Sequence, residues 1–228
     1  MKPRAVIFDL DDTLYPARRF ALSGFAAVSQ HLFERFGAAA RSAFAILLRE
    51  LKAGRQATAF QAVCRSHDLP IDLVPDMVAV MRAHRPRLRL PTSSRRTLMT
   101  LRPRWRLGVL TNGLPAMQAR KVDALHIRPL VDAVVFARDH GQRVGKPDPG
   151  AFWAVTRSLG VAPGDCVFVG DDPECDIAAA RRVGMATIRV APARHPMDDD
   201  GADAFVTSVD EVPEALARLT RQAVARAV

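Results

Sequence analysis

The chain has 228 residues, 49% of them hydrophobic and 25% charged, with 33 Lys and Arg against 24 Asp and Glu for a formal charge of +9. That length and apolar content suffice for one large core, or for a core domain with a smaller companion, and exclude a disordered or fibrous chain. The basic excess is scattered through helical segments rather than gathered into a block, and the 11 Phe, 2 Trp and 1 Tyr form no stacking motif, so a nucleic-acid polymer is not an expected partner.

Cys64, Cys166 and Cys175 are widely spaced without a CxxC pair, which argues against a disulfide framework or a zinc site and fits a reducing compartment. The first apolar run starts within a few residues of Met1, leaving no room for a secretory signal, and no run approaches membrane-spanning length. A cytoplasmic protein without membrane attachment is the expectation.

In chain order, the first element is a strand at 6–8 (Val-Ile-Phe), within the stretch AVIFDLDDTLYP. From about 17 to 88 the pattern is helical. Phe20, Phe25, Val28, Leu32 and Phe36 recur at three- to five-residue steps, then Phe44, Leu47, Leu48 and Leu51, with shorter segments around Phe60-Val63 and Met77-Val80-Met81. Gly37, Gly54 and Pro70 or Pro75 punctuate these helices. Further strands are expected at 107–110, 133–136, 167–169, 187–190 and 204–206, with helices at 149–159 and 177–183 between the later ones. Alternation of this kind predicts an α/β fold, a doubly wound (Rossmann-like) parallel sheet, with residues 1–15 and 90–228 as core and 16–89 as an inserted helical domain. Trp105, Trp153 and the Phe residues of the insert are read as core. The triplet 198–200 is read as a solvated loop, and the six histidines, His195 among them, match no ligand spacing.

In an open parallel sheet, ligands bind beyond the carboxyl ends of the strands where the strand order reverses. Asp9 and Asp11 follow the first strand directly, and clustered carboxylates are costly without a cation, which points to a hard divalent ion such as Mg²⁺. The strand at 107–110 runs into Thr111-Asn112-Gly113. The strand at 167–169 runs into GDDPECD, with Asp171, Asp172 and Asp176, and Lys146 lies in a GKPDP loop. Taken singly, such aspartates are often turn or cap residues. Taken together, a carboxylate nucleophile, a metal, a hydroxyl donor and a lysine are the equipment for phosphoryl transfer.

These four motifs in this order resemble the haloacid dehalogenase superfamily, specifically its phosphatase-like members with a helical C1-type cap after the first strand. DxDxT is matched by Asp9-Leu10-Asp11-Asp12-Thr13, the second motif by Thr111, the third by Lys146, and the fourth by Gly170-Asp171…Asp176. The resemblance implies that Asp9 attacks phosphorus and that Asp11 protonates the leaving oxygen and later activates water. It further implies Mg²⁺ held by Asp9, the Asp11 main-chain carbonyl and Asp171, with Thr111, Asn112 and Lys146 binding the phosphoryl group. Thr13 is expected to brace the motif turn, Asp172 to reach the metal through water or to cap the next helix, and Asp176 to orient Lys146. Cys175 stands where asparagine is frequent in these phosphatases and is read as a packed thiol.

The expected function is Mg²⁺-dependent hydrolysis of a small phosphate monoester, such as a nucleotide, phosphosugar or phosphoglycolate-like substrate, through an aspartyl-phosphate. The alternatives are a phosphomutase or phosphonatase of the same superfamily, or a non-catalytic phospho-ligand binding protein. A dehalogenase has no alkoxide to protonate and typically lacks the second aspartate, so Asp11 argues against it.

Overall fold

The structure is a computed structural model and describes residues 4–142, 144–191 and 201–225. Among these residues, strands β1 (Ala5–Phe8), β2 (Arg106–Thr111), β3 (Ala133–Phe136), β4 (Cys166–Gly170), β5 (Ala186–Val190) and β6 (Ala204–Val206) form one sheet in the order β3-β2-β1-β4-β5-β6. Every pairing is parallel. The helices are α1 (Arg18–Phe36), α2 (Ala40–Lys52), α3 (Ala59–Ser66), α4 (Val74–Ala83), α5 (Thr92–Leu101), α6 (Pro115–Ala124), α7 (Pro149–Leu159), α8 (Ala179–Arg182) and α9 (Val212–Ala225). None is long and apolar enough to cross a membrane.

β1 and β4 are buried at every position, as strands covered on both faces must be, and this is why they read as unbroken apolar runs rather than alternating ones. Ile7, Leu110 and Phe168 pack with Phe152, Val155 and Leu159 of α7. The chain moves outward from β1 through β2 to β3, then crosses back to β4 on the other side of β1. The strand order therefore reverses beside β1, and a crevice opens there at the carboxyl ends. Asp9, Thr111 and Asp171 all stand at those ends.

The chain divides into two compact units, Met1–Pro16 with Arg89–Val228, and Ala17–Leu88. The second unit is wholly helical and has its own core, in which Val28 and Leu32 of α1 meet Ile46 and Leu47 of α2, Val63 of α3 and Met77 of α4. Gly37 ends α1 in the left-handed region at φ 67°, and its N–H donates to the Phe33 carbonyl at 3.0 Å. Pro70 precedes a short 3-10 turn, whereas Pro75 lies in the first turn of α4, where its missing N–H has no partner to lose.

Three sequence expectations change. Trp153 is 48% exposed, because α7 turns Phe152 and Val155 inward and leaves the intervening position on its outer face. Phe33 and Phe36 of α1 are exposed as well. Periodicity assigns a face to a helix, not how far its neighbours extend along it. The helix expected at 177–183 starts at Pro173, as a π-helical turn over Pro173–Ala178 that leads into α8. His195 and the triplet 198–200 lie outside the described residues.

Candidate active site

The loop after β1 separates apolar from acidic side chains. The Asp9 N–H donates to the Val169 carbonyl of β4 at 2.8 Å, which extends the ladder by one residue and fixes Asp9 at the carboxyl end of the central strand β1. The chain then folds back on itself. Leu14 N–H donates to the Leu10 carbonyl at 3.1 Å, and Asp12 N–H to the Tyr15 carbonyl at 2.8 Å. Asp12 takes a φ of 57°, a left-handed conformation that aspartate tolerates better than branched residues. Leu10, Leu14 and Tyr15 are buried, so the loop drives its apolar residues into the core while Asp9 and Asp11 stay at the crevice. Thr13 is buried too and donates to Asp171 Oδ1 at a long 3.4 Å, tying this loop to the one after β4.

Lys146 occupies the centre. Its Nζ lies 2.5 Å from Asp9 Oδ1 and 2.6 Å from Asp176 Oδ1, and all three side chains are buried. Burial opposes the ammonium charge, but the two carboxylates outweigh it and hold the lysine pKa above its ordinary value. The loop that carries Lys146 is clamped by Asn112, whose Oδ1 accepts from the Lys146 N–H at 2.7 Å and whose Nδ2 donates to the Lys146 carbonyl at 2.9 Å. Gly145 is required there. It sits at φ 83°, and a Cβ on it would come within 2.2 Å of Asn112 Oδ1. The Asn112 side chain is thus engaged by the lysine loop.

Asp171 follows β4, and its carboxyl is pushed up to about 7 by burial first, then by Asp176 and Asp12. Burial also raises Asp9 well above the usual carboxylate range, against the pull of Lys146. Gly170 permits this crowding, since a Cβ there would lie 2.3 Å from Asp176 Oδ2. Asp172 Oδ1 accepts from the N–H groups of Glu174 and Cys175 at 2.9 and 2.7 Å, which makes it the cap of the π-helical turn. Cys175 is half-buried, and burial raises its thiol.

One oxygen from each of Asp9, Asp171 and Asp176 falls within 4.8 Å of the others. Three carboxylates share this pocket with one ammonium, leaving an excess of negative charge that burial makes costly. Hard oxygen donors with uncompensated charge suit a divalent cation of the magnesium type.

Three residues at the site carry no motif signal. Lys121 of α6 places Nζ 2.8 Å from both oxygens of Asp11. Gln118 Nε2, on the same helix, is 3.0 Å from Asp11 Oδ2 and 2.9 Å from Thr111 Oγ1. The Tyr15 hydroxyl donates to Asp11 Oδ1 at 2.5 Å, and burial followed by Asp11 keeps that phenol protonated. The available clue was a Gln and a Lys three residues apart, the spacing that puts two side chains on one helix face.

A family model for haloacid dehalogenase-like hydrolases matches residues 3–184. The chain is 30% identical over 232 residues to glyceraldehyde 3-phosphate phosphatase of Methanopyrus kandleri, covering 89% of this chain and 91% of that protein. Among solved structures, the HAD-hydrolase YfnB of Bacillus subtilis matches with a TM-score of 0.68 at 18% identity, over 95% of this chain and 99% of that one. The 2-haloacid dehalogenase of Pseudomonas syringae matches with a TM-score of 0.67 at 26% identity, over 95% and 99%. With the family model spanning most of the chain and the four motifs gathered at the carboxyl ends of β1, β2 and β4, the chain belongs to the haloacid dehalogenase-like hydrolases.

Proposed function

We propose that this hydrolase is a phosphatase acting on a small phosphate monoester, with Asp9 as nucleophile. The observation that carries the reading is the Asp9–Lys146–Asp176 chain of contacts at 2.5 and 2.6 Å, with Asp171 alongside. A carboxylate at a strand end, braced by a buried ammonium, is held still for in-line attack. Asp9 forms the bond to phosphorus as the ester oxygen departs with a proton from Asp11. Asp11 then removes a proton from the water that releases phosphate from Asp9. Lys146 and Thr111 hold phosphoryl oxygens, with Asn112 keeping the lysine loop in place. Asp9, Asp171 and the Asp11 carbonyl would hold a divalent cation, which would supply charge neutralisation where two anions meet. Asp176 fixes Lys146.

The resemblance to the Methanopyrus kandleri phosphatase, nearly end to end, favours a phosphosugar among the candidate substrates. Retention of Asp11 favours phosphate ester over carbon–halogen cleavage, despite the likeness to a dehalogenase. The helical unit, 17–88, is assigned the substrate-selecting role of a cap. A panel of phosphate esters with Mg²⁺, glyceraldehyde 3-phosphate among them and 2-chloropropionate as counter-substrate, tests this reading. Phosphate release from at least one ester, with no chloride release, is expected. Chloride release without phosphatase activity would overturn it.

A further inference from the structure

Gln118 and Lys121 lie within one turn of each other on α6, and both are buried, at 1% and 5% exposure. A helix of a water-soluble domain rarely turns an ammonium and an amide inward unless each meets a defined partner. Lys121 reaches both oxygens of Asp11 at 2.8 Å, so a single cation fixes the carboxylate plane. Gln118 Nε2 reaches Asp11 Oδ2, Thr111 Oγ1 and the Asn112 carbonyl. Its Oε1 is buried with no hydrogen-bond partner among the described residues. The reverse amide orientation would set that oxygen against two acceptors that cannot donate, the Asp11 carboxylate and the Asn112 carbonyl, so the surroundings dictate which way the amide faces.

The consequence for Thr111 is directional. A hydroxyl that accepts from Gln118 has its own hydrogen left to donate elsewhere. Gln118 therefore links the two groups assigned to the same phosphoryl ester, Asp11 to its leaving oxygen and Thr111 to a phosphoryl oxygen.

We propose that Gln118 and Lys121 are positioning residues: Lys121 locks the Asp11 carboxylate in its working orientation, and Gln118 couples that carboxylate to Thr111 and frees the Thr111 hydroxyl to donate to a phosphoryl oxygen. The proposal rests on Asp11 being the proton-transfer residue of the phosphatase mechanism proposed above. The opposing view is that the pair merely fastens α6 to the loop after β1. Orientation errors at a reacting group cost rate, whereas a lost fastening costs stability.

The experiment is steady-state kinetics on p-nitrophenyl phosphate with Mg²⁺, with circular dichroism and thermal midpoints to establish folding, for Lys121→Met, Lys121→Arg, Gln118→Met, Asp11→Asn and the double variant Asp11→Asn/Lys121→Met. Lys121→Met and Gln118→Met should each lower kcat by about 10- to 100-fold with a far smaller change in KM. Lys121→Arg should restore much of the loss, and the double variant should be no slower than Asp11→Asn, because Lys121 has nothing left to position. If Asp11→Asn is inactive while folded Lys121→Met and Gln118→Met turn over at the wild-type rate, the positioning role is wrong and the phosphatase reading stands. Fully additive losses in the double variant would overturn the role as well. Wild-type turnover by Asp11→Asn would instead remove the premise. Should Lys121→Met not fold, Gln118→Met, which removes no charge, decides the question through its own kcat.

Discussion

Asp9 and Lys146 are 137 residues apart in the chain and 2.5 Å apart in space, each nearly closed to solvent, with Asp176 making a second contact to the lysine ammonium at 2.6 Å. This arrangement carries more negative than positive charge in a buried volume, and its energetic consequences are measurable.

Replacing Asp9 by Asn removes the nucleophile and one of the crowded charges. Turnover of the best ester should fall by more than about a thousandfold, as for loss of a group that forms the covalent intermediate. The folded state should not suffer, since Lys146 keeps Asp176. The thermal midpoint of the metal-free variant at neutral pH should equal or exceed that of the parent. Retention of a tenth of the wild-type rate would exclude the covalent route.

Lys146→Met has the opposite balance. It leaves Asp9 and Asp176 buried and facing one another without a cation, and breaking a buried pair in this way costs about 3–5 kcal/mol. Chemical denaturation of the metal-free protein should show a loss of that order, partly recovered by Mg²⁺. A midpoint unchanged from wild type would mean that the lysine is not compensating the cluster.

The pH dependence of the metal-free protein follows from Asp171, whose carboxyl rises from 3.8 to about 7 on folding, and from Asp9, which shifts the same way. Between those values the folded state retains a proton that the unfolded state has released, so stability is greatest in mild acid and declines as pH climbs toward 7. Scanning calorimetry in EDTA should show the Asp171 contribution lost between about pH 4 and 7, with Asp9 adding a decline of the same sign. Mg²⁺ should flatten this trend and stabilise most at the alkaline end, where no proton competes for the carboxylates. A metal-free midpoint that rises across the same window through the site would contradict the burial of these groups, and Asp171→Asn, which should remove much of the slope, identifies its source.

Asp171 and Asp176 should separate in metal affinity. Asp176 already directs Oδ1 to Lys146 and takes the Asp172 N–H on Oδ2 at 3.3 Å, whereas the Asp171 carboxylate is met by the more distant Thr13 hydroxyl. Asp171→Ala should weaken Mg²⁺ binding strongly, and Asp176→Ala only modestly, its main effect being a rise in KM as Lys146 loosens. Isothermal titration decides, and the reverse order would move Asp176 into the ligand set.

Much of this was legible in one dimension. Strands β3 and β6 and helix α7 fall where apolar runs and periodicity put them, because a short apolar run bounded by polar residues and an amphipathic helix each leave a local mark. Asp9, Asp11, Thr111, Lys146 and Asp171 were marked by their spacing and by their places after apolar runs. What the chain does not announce is the partner of each side chain. Lys121 and Gln118 sit in an ordinary polar helix until α6 is laid beside the loop after β1. Asp172 was equally a metal contact or a cap until its carboxylate was seen to take two N–H groups. Trp153 was large and apolar, and only the packing of α7 turned it outward. Local pattern records which face is buried and which residue types can do chemistry. Contacts between residues more than a hundred positions apart depend on how the strands are ordered, and that order is decided when the sheet assembles.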